Sequence, residues 1–366
     1  MDVEIKKGKI LIYRVFDLGP EIDLEKVEAV FNENLKEKFR LDRKHNSSLI
    51  ISNSPTSIYL GKVPITILGK AFEASLICKV WQFGTASLSF QIPIENTSWS
   101  KLEEYSAFLD TTFEIDEIAK KKVKEFQAHI KDALPELNQW QTYEDYITFF
   151  IQEFTDQDFK TAELPLRVNI PKLLLAEKRD DLSFKLKNQI LENSYQYYDD
   201  DLVVVDWNSA LIVEPSGSMD VALIIEFALN QLLEMRYYDE VLDRKLAQLY
   251  SSVVGKKKGL LSNEYSKLAE EAGQIYLEIS EIFENIENSF KTVGDFYLAT
   301  IFRNSTKRFK LDDWTRSINE KLSNLAEVSK LLHSEVNESR NQSLEIIIII
   351  LIAIEVVPFV YNLVMN

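Results

Sequence analysis

Apolar positions recur every second residue in the N-terminal part of the chain and every three to four in the C-terminal part. These are the periods of strand and helix. Residues 9–16 (KILIYRVF) predict a strand that stops at the turn Leu18-Gly19-Pro20. Residues 22–39 carry Leu24, Val27, Val30, Phe31 and Leu35 at helical spacing. Short apolar runs at 48–52 and 56–60 flank Asn53-Ser54-Pro55, a turn signature. Residues 72–80 and 86–92 predict a hairpin around Gln82-Phe83-Gly84-Thr85. Ser100 with Glu103 offers a capping box, and 115–130 repeats apolar residues at helical intervals. Pro135, Pro165 and Pro171 make 134–175 read as a connection with some helix in it, followed by short strands at 201–205 and 210–213 around Asp206-Trp207-Asn208.

From Met219 onward the pattern is helical. Ser218 can cap, Asp220 suits the positive end of the helix, and Val221, Ile224, Ile225, Ala228, Leu232 and Met235 form one apolar stripe. Arg236, Glu240 and Arg244 fall four residues apart as an ion-pair ladder. The segment 226–243 also distributes Asn230, Gln231, Glu234, Arg236, Tyr237 and Tyr238 around its circumference. A helix polar on several sides suits insertion between domains, with side chains hydrogen-bonded to both, as a structural or partner interface. Glu226, Glu234, Arg236, Tyr237 and Asp239 are therefore candidate interface residues, with Arg236 as the anchor. After a break at 255–259, helices continue from 263 to about 302.

The last helix carries Ile318, Leu322, Leu325, Ser329, Leu332, Val336, Ser339, Ser343 and Ile346 in steps of four and three. The seam fits a stalk that dimerises, or equally an amphipathic helix packed on its own domain. It runs into residues 346–364 (IIIIILIAIEVVPFVYNLV), long enough as a helix to cross a bilayer core. The expectation is a C-terminal transmembrane anchor, with a buried core helix or an Ile-rich oligomer contact as alternatives. Glu355 opposes insertion and is expected to face a partner helix.

Composition narrows the function. A net charge of −16 disfavours nucleic-acid binding, which draws affinity from Lys and Arg on phosphates. The basic clusters at 120–124 and 256–258 read as solvated faces. One cysteine, Cys78, excludes an intramolecular disulfide and sits in an apolar run. His45, His129 and His333 are far apart and lie in no ligand motif. The N-terminus has no secretory h-region.

Gly255-Lys256, Leu261-Ser262 with Glu264, Ile318-Asn319-Glu320-Lys321-Leu322, Leu344-Glu345 and Ile354-Glu355-Val356-Val357 resemble the "required for meiotic nuclear division" family. Phe83-Gly84 and Ile22-Asp23-Leu24-Glu25 are similar to its N-terminal half. The usual Trp of the apolar run is Ile here, and 199–243 is distinctive. The resemblance implies an N-terminal α/β domain, a helical C-terminal domain, one terminal membrane helix and attachment or scaffolding roles, with no reaction.

The expected fold class is thus α+β: an N-terminal α/β domain with mostly antiparallel strands, a helical C-terminal domain and one terminal transmembrane helix. The expected divisions are 1–133 for the α/β domain and 134–217 for the connection and strands completing it. A helical domain with a heptad stalk follows at 218–343, then an anchor at 344–366. The expected function is a tail-anchored, single-pass membrane scaffold, its bulk cytoplasmic. It binds an unknown protein partner and self-associates through Ile318, Leu322, Leu325, Leu332, Val336 and Glu355. No cofactor and no catalytic residue are expected. The alternative is a membrane-tethered Mg²⁺-dependent phosphoryl or phosphodiester enzyme using Asp199, Asp200, Asp201 and Asp206, with Glu226, Glu234, Asp239, Glu240 and Asp243 as further carboxylates.

Overall fold

The computed structural model describes residues 3–31, 36–37, 48–51, 55–134, 142–254, 262–288, 290–293 and 296–365. The N-terminal strand, β1 (Glu4–Asp17), is longer than its apolar run, because its polar start still pairs with neighbours on both sides. Helix α1 (Leu24–Val30) starts at Asp23, whose carboxylate accepts the Lys26 N–H. Leu35, expected in the same helix, lies outside the described residues. Strands β2 (Lys36–Glu37), β3 (Ser48–Ile51), β4 (Thr56–Ile67), β5 (Lys70–Val80) and β6 (Thr85–Ser98) follow. Gly61, at φ +95°, sits where β4 shifts register on β5, so the strand continues past the expected end at residue 60.

Helix α2 (Trp99–Leu109) is capped by Ser98, which accepts the Lys101 N–H, and not by Ser100. The Glu103 carboxylate accepts from Trp99 Nε1 at 3.0 Å instead of closing a capping box. Helix α3 (Glu114–His129) precedes β7 (Tyr143–Phe154), a strand inside the stretch expected to be a connection. Short helices α4 (Leu164–Arg167), α5 (Ile170–Leu174) and α6 (Phe184–Leu191) lead to β8 (Ser194–Tyr195), β9 (Leu202–Val205) and β10 (Ser209–Val213). Helices α7 (Asp220–Val254) and α8 (Ser262–Asn288), strand β11 (Phe290–Val293), and helices α9 (Phe296–Arg308) and α10 (Leu311–Met365) complete the order.

Among the described residues the main sheet has nine strands in the order β2-β4-β5-β6-β1-β7-β10-β9-β8, and β3 pairs with β11 apart from it. Among the described strand pairs only β10 on β7 is parallel. The chain divides into two compact units, Met1–Tyr237 with Glu284–Asp313 and Tyr238–Phe283 with Trp314–Asn366. The division falls inside α7, where sequence periodicity shows no break.

In the first unit the sheet has two unlike buried faces. Ile10, Ile12 and Phe16 of β1 point to an apolar core shared with Leu102 and Leu109 of α2 and Ile115, Val123 and Phe126 of α3. The opposite face carries Tyr13, Val15 and Asp17 of β1, paired in register with Ser89, Ser87 and Thr85 of β6. On the other side Tyr13 and Val15 pair with Tyr146 and Glu144 of β7. The α7 residues 220–237 and α9 pack on this face, as Trp81–Phe227 and Phe227–Phe302 ring contacts at 5.0 and 5.7 Å show.

In the second unit the heptad seam is taken up within the chain. Ile318, Leu322, Leu325, Leu332 and Val336 are buried. Val328 and Leu332 cluster with Ala269 of α8, and Ser329 Oγ donates to the Ala269 carbonyl at 3.2 Å. These side chains are thus covered by packing within the chain. The Ser339, Ser343 and Glu355 side chains lie outside the described residues, as do Gly255, Lys256, Leu261, the basic cluster 256–258 and His45.

The expected membrane anchor is corrected. Among the described residues no helix is long and apolar enough to cross a membrane. The apolar segment whose side chains are described, 346–354 with Val356, rises roughly 16 Å at helical pitch. That is about half of a ~30 Å hydrocarbon core. The transmembrane element of the expected fold class, the membrane as partner, and the single-pass localisation fall with it. The segment is a continuation of α10 in which Leu344, Ile346–Ile350, Leu351, Ile352, Ile354 and Val356 are each 48–65% exposed.

Candidate functional site

The most unusual feature of the first unit is the polar layer between α7 and the sheet. On α7, Glu226, Asn230 and Glu234 lie four residues apart and share one face, which the apolar stripe does not include. All three are fully buried, and Gln231 nearly so. The sheet answers with polar groups. Lys79 Nζ of β5 lies 2.5 Å from Glu226 Oε2, and Thr85 Oγ1 of β6 donates to Asn230 Oδ1 at 2.7 Å. Asn230 Nδ2 donates to the Glu226 carbonyl at 2.6 Å. Farther along, Arg236 pairs with Glu144 of β7. Tyr146 donates to the Asp206 carbonyl at 2.9 Å, and Arg308 of α9 pairs with the Asp206 carboxylate.

Some of these buried groups have no hydrogen-bond partner among the described residues: both oxygens of Glu234, Glu226 Oε1, Ser87 Oγ and Thr148 Oγ1. Unpartnered buried polar atoms are costly, so their concentration on one interface sets its electrostatics. Burial, reinforced by Asp17 on β1, raises the Glu234 carboxyl well above the usual range. Burial lifts Glu144 to about 7 against the opposing pull of Arg236. Burial, then Glu226 and Tyr146, raise the Tyr13 hydroxyl. Burial and then Glu226 push up the Cys78 thiol on the opposite face of β5. Glu234, Tyr13 and Cys78 hold protons at neutral pH, whereas Glu144 is partly ionised there; the protonated Cys78 thiol is not poised as a nucleophile.

Of the residues singled out from sequence, the structure brings Glu226, Glu234 and Arg236 onto the sheet-facing side of α7. Tyr237 is half-buried at the end of the first unit. Asp239 belongs to the second unit, where it accepts from Ser317 Oγ at 2.6 Å and lies 2.8 Å from Lys321 Nζ. Lys321 also reaches Asp243 at 2.7 Å. The acidic run 199–201 is not gathered with Asp206. The Asp201 carboxylate accepts the Tyr197 and Tyr198 N–H groups, at 2.8 and 3.1 Å, and Asp206 is taken by Arg308. Among the described residues no group of three or more His, Cys, Asp or Glu is placed to hold a metal ion.

Sequence reasoning missed Asp17, Lys79, Thr85, Glu144 and Arg308. Their signal is the alternation itself: Thr85, Ser87 and Ser89 alternate with Ala86, Leu88 and Phe90. Such a strand reads as solvated on its polar side. Here that side is covered by a helix that is itself polar. A second buried pair, Arg14 to Asp116 at 2.6 Å, lies on the opposite face and ties β1 to α3.

Sequence comparison places the chain in an uncharacterised family. The chain belongs to it: the family model described as "Uncharacterized protein MJ0711, N-terminal domain" matches residues 7–220. The sequence is similar to "Uncharacterized protein MJ0711" of Methanocaldococcus jannaschii, with 25% identity over 218 residues. That match covers 58% of this chain and 65% of the relative, which is under two thirds of its length. No solved structure matches. The polar partners Asp17, Lys79, Thr85 and Glu144 fall inside the matched span, whereas Glu226 and Glu234 lie beyond it.

Proposed function

We propose that this protein is a non-catalytic assembly scaffold that self-associates through the apolar end of α10 and holds a protein partner on its sheet-bearing unit. The observation that carries the reading is the exposed segment 344–356, in which Leu, Ile and Val side chains point outward on every side of the helix. Soluble surfaces rarely expose contiguous apolar patches of this kind unless another protein covers them. A helix apolar all round fits the interior of a helical assembly. We also read the chain as a relative of the "required for meiotic nuclear division" type, on Leu344-Glu345 and Ile354-Glu355-Val356-Val357.

The test is mass in aqueous buffer, by light scattering, for the full chain and for a chain ending at Ser343. The full chain is expected to run as a multiple of its 42.4 kDa and the shortened one to fall to a lower multiple. Equal oligomeric states for the two would overturn the assembly part of the reading.

A further inference from the structure

The loop between β8 and β9 exposes aromatic rings on a hydrogen-bonded backbone. Tyr197 and Tyr198 are 59% and 56% exposed, with ring centroids 4.7 Å apart and edge to face. Tyr297 of α9 stands 5.3 Å from Tyr197, and Phe296 beside it is exposed. All of these residues belong to the first unit. The loop is pinned from below. Asp201 accepts both tyrosine N–H groups, Gln196 Nε2 donates to the Asp201 carbonyl at 2.8 Å, and Thr161 Oγ1 donates to the Asp200 carbonyl at 2.9 Å. A loop backbone already held in place loses little freedom on binding.

Two carboxylates flank the rings. Asp199 and Asp200 are exposed, and neither forms a salt bridge among the described residues. Among their neighbours in this unit Glu163 pairs with Arg167, Asp180 with Lys172 and Asp181 with Arg179, while Asp156, Asp158 and Glu192 are, like Asp199 and Asp200, exposed without an ion pair among the described residues. Intramolecular cations sit over Phe72, Tyr105, Tyr143 and Phe159. Among the described residues, Tyr197 and Tyr198 carry none. Ring faces that attract cations, next to unpaired carboxylates, are complementary to guanidinium and ammonium groups.

We propose that Tyr197, Tyr198 and Tyr297, flanked by Asp199 and Asp200, form the docking surface for an Arg- or Lys-rich segment of the partner protein. This rests on the partner-binding part of the reading above, and not on self-association. A fluorescein-labelled oligoarginine peptide is titrated with the full chain and followed by anisotropy, with oligoglutamate as the control peptide. Saturable oligoarginine binding is expected. It should weaken roughly tenfold in a Tyr197→Ala/Tyr198→Ala variant and be retained in Tyr197→Phe/Tyr198→Phe, which keeps the ring faces. Asp199→Asn/Asp200→Asn should weaken binding and flatten its salt dependence. Glu335→Gln/Glu338→Gln, an equal loss of charge on the other unit, should leave it unchanged. Absence of saturable binding, an equal loss in the Glu335/Glu338 variant, or no loss on removing the rings would each overturn the proposal. Circular dichroism of each variant separates misfolding from lost contact. Light scattering on the same samples shows whether assembly fails independently of peptide binding.

Discussion

Glu234 is the residue whose environment most constrains its chemistry. Both carboxyl oxygens are buried without a hydrogen-bond partner among the described residues, with Asp17 adding negative potential. The folded state therefore favours the neutral acid, while an unfolded glutamate titrates near ~4.3. Below that pH both states are protonated and the contribution to stability is fully present. Between it and the raised folded value the native state binds one proton more than the unfolded state. Stability then falls as pH rises, by up to about 1.4 kcal/mol per pH unit. Glu234→Gln removes this slope. The difference in unfolding free energy between the variant and the parent is expected to move in favour of the variant from about pH 5 to about pH 8. Glu144, lifted to about 7, contributes equally to both chains and cancels. Parallel pH profiles in urea titrations would show that Glu234 has no such role. Gly84 is constrained sterically: at φ +110° a Cβ would meet the Gly19 carbonyl at 1.8 Å. Gly84→Ala is expected to lose on the order of 2 kcal/mol or more, read from the urea midpoint. Helix patterning alone singled out Glu226, Glu234 and Arg236. Asp17 and Lys79 escaped because each reads locally as an ordinary strand or turn charge.

At the scale of elements, α7 on the sheet is held by paired charges where apolar contact would be usual. Lys79 is largely buried against a fully buried Glu226. Removing one partner of a buried pair leaves an uncompensated charge, whereas replacing both with apolar groups is often neutral. Lys79→Met is therefore expected to cost about 3–5 kcal/mol, and Lys79→Met/Glu226→Leu much less. Denaturant unfolding of the two single variants and the double variant measures the coupling. Additive losses would mean that the pair does not act as a unit. The same interface explains which elements were legible. Strands β1, β5 and β6 announce themselves because each has a strongly apolar face toward α2 and α3. Strand β7 did not, since Glu144, Asp145 and Glu153 and the nearby Pro135 make its ends resemble a connection. Its central Thr148, Phe149, Phe150 and Ile151 are buried on both faces of the sheet. The cap of α2 shifted by two residues because Ser98 and Ser100 offer the same chemistry. Pairing of β6 with β1, which extends to Ser98 opposite Glu4, decides between them.

At the scale of the molecule, the heptad and the apolar run looked like one device in sequence and are two in the structure. Steps of four and three are equally what a helix needs to pack on α8, and a sequence period does not say which chain supplies the partner. Hydropathy likewise reports that a segment avoids water without saying what replaces the water. What remains for self-association is the exposed part of α10, and its geometry makes a specific demand. Ile346 and Ile350 lie one turn apart on one face, and Ile348 and Ile352 on the roughly opposite face. All four are exposed. In a two-helix contact only one of these faces would be covered, and the other would stay in water at a hydrophobic cost of about 1–2 kcal/mol per half-exposed Ile. A bundle of several helices covers both. The Ile346→Lys/Ile350→Lys and Ile348→Lys/Ile352→Lys variants are therefore both expected to lower the oligomeric mass of the full chain. Loss from one variant alone would reduce the assembly to a two-helix seam and identify its buried face. Retention of the parent mass by both would remove the end of α10 from the assembly altogether.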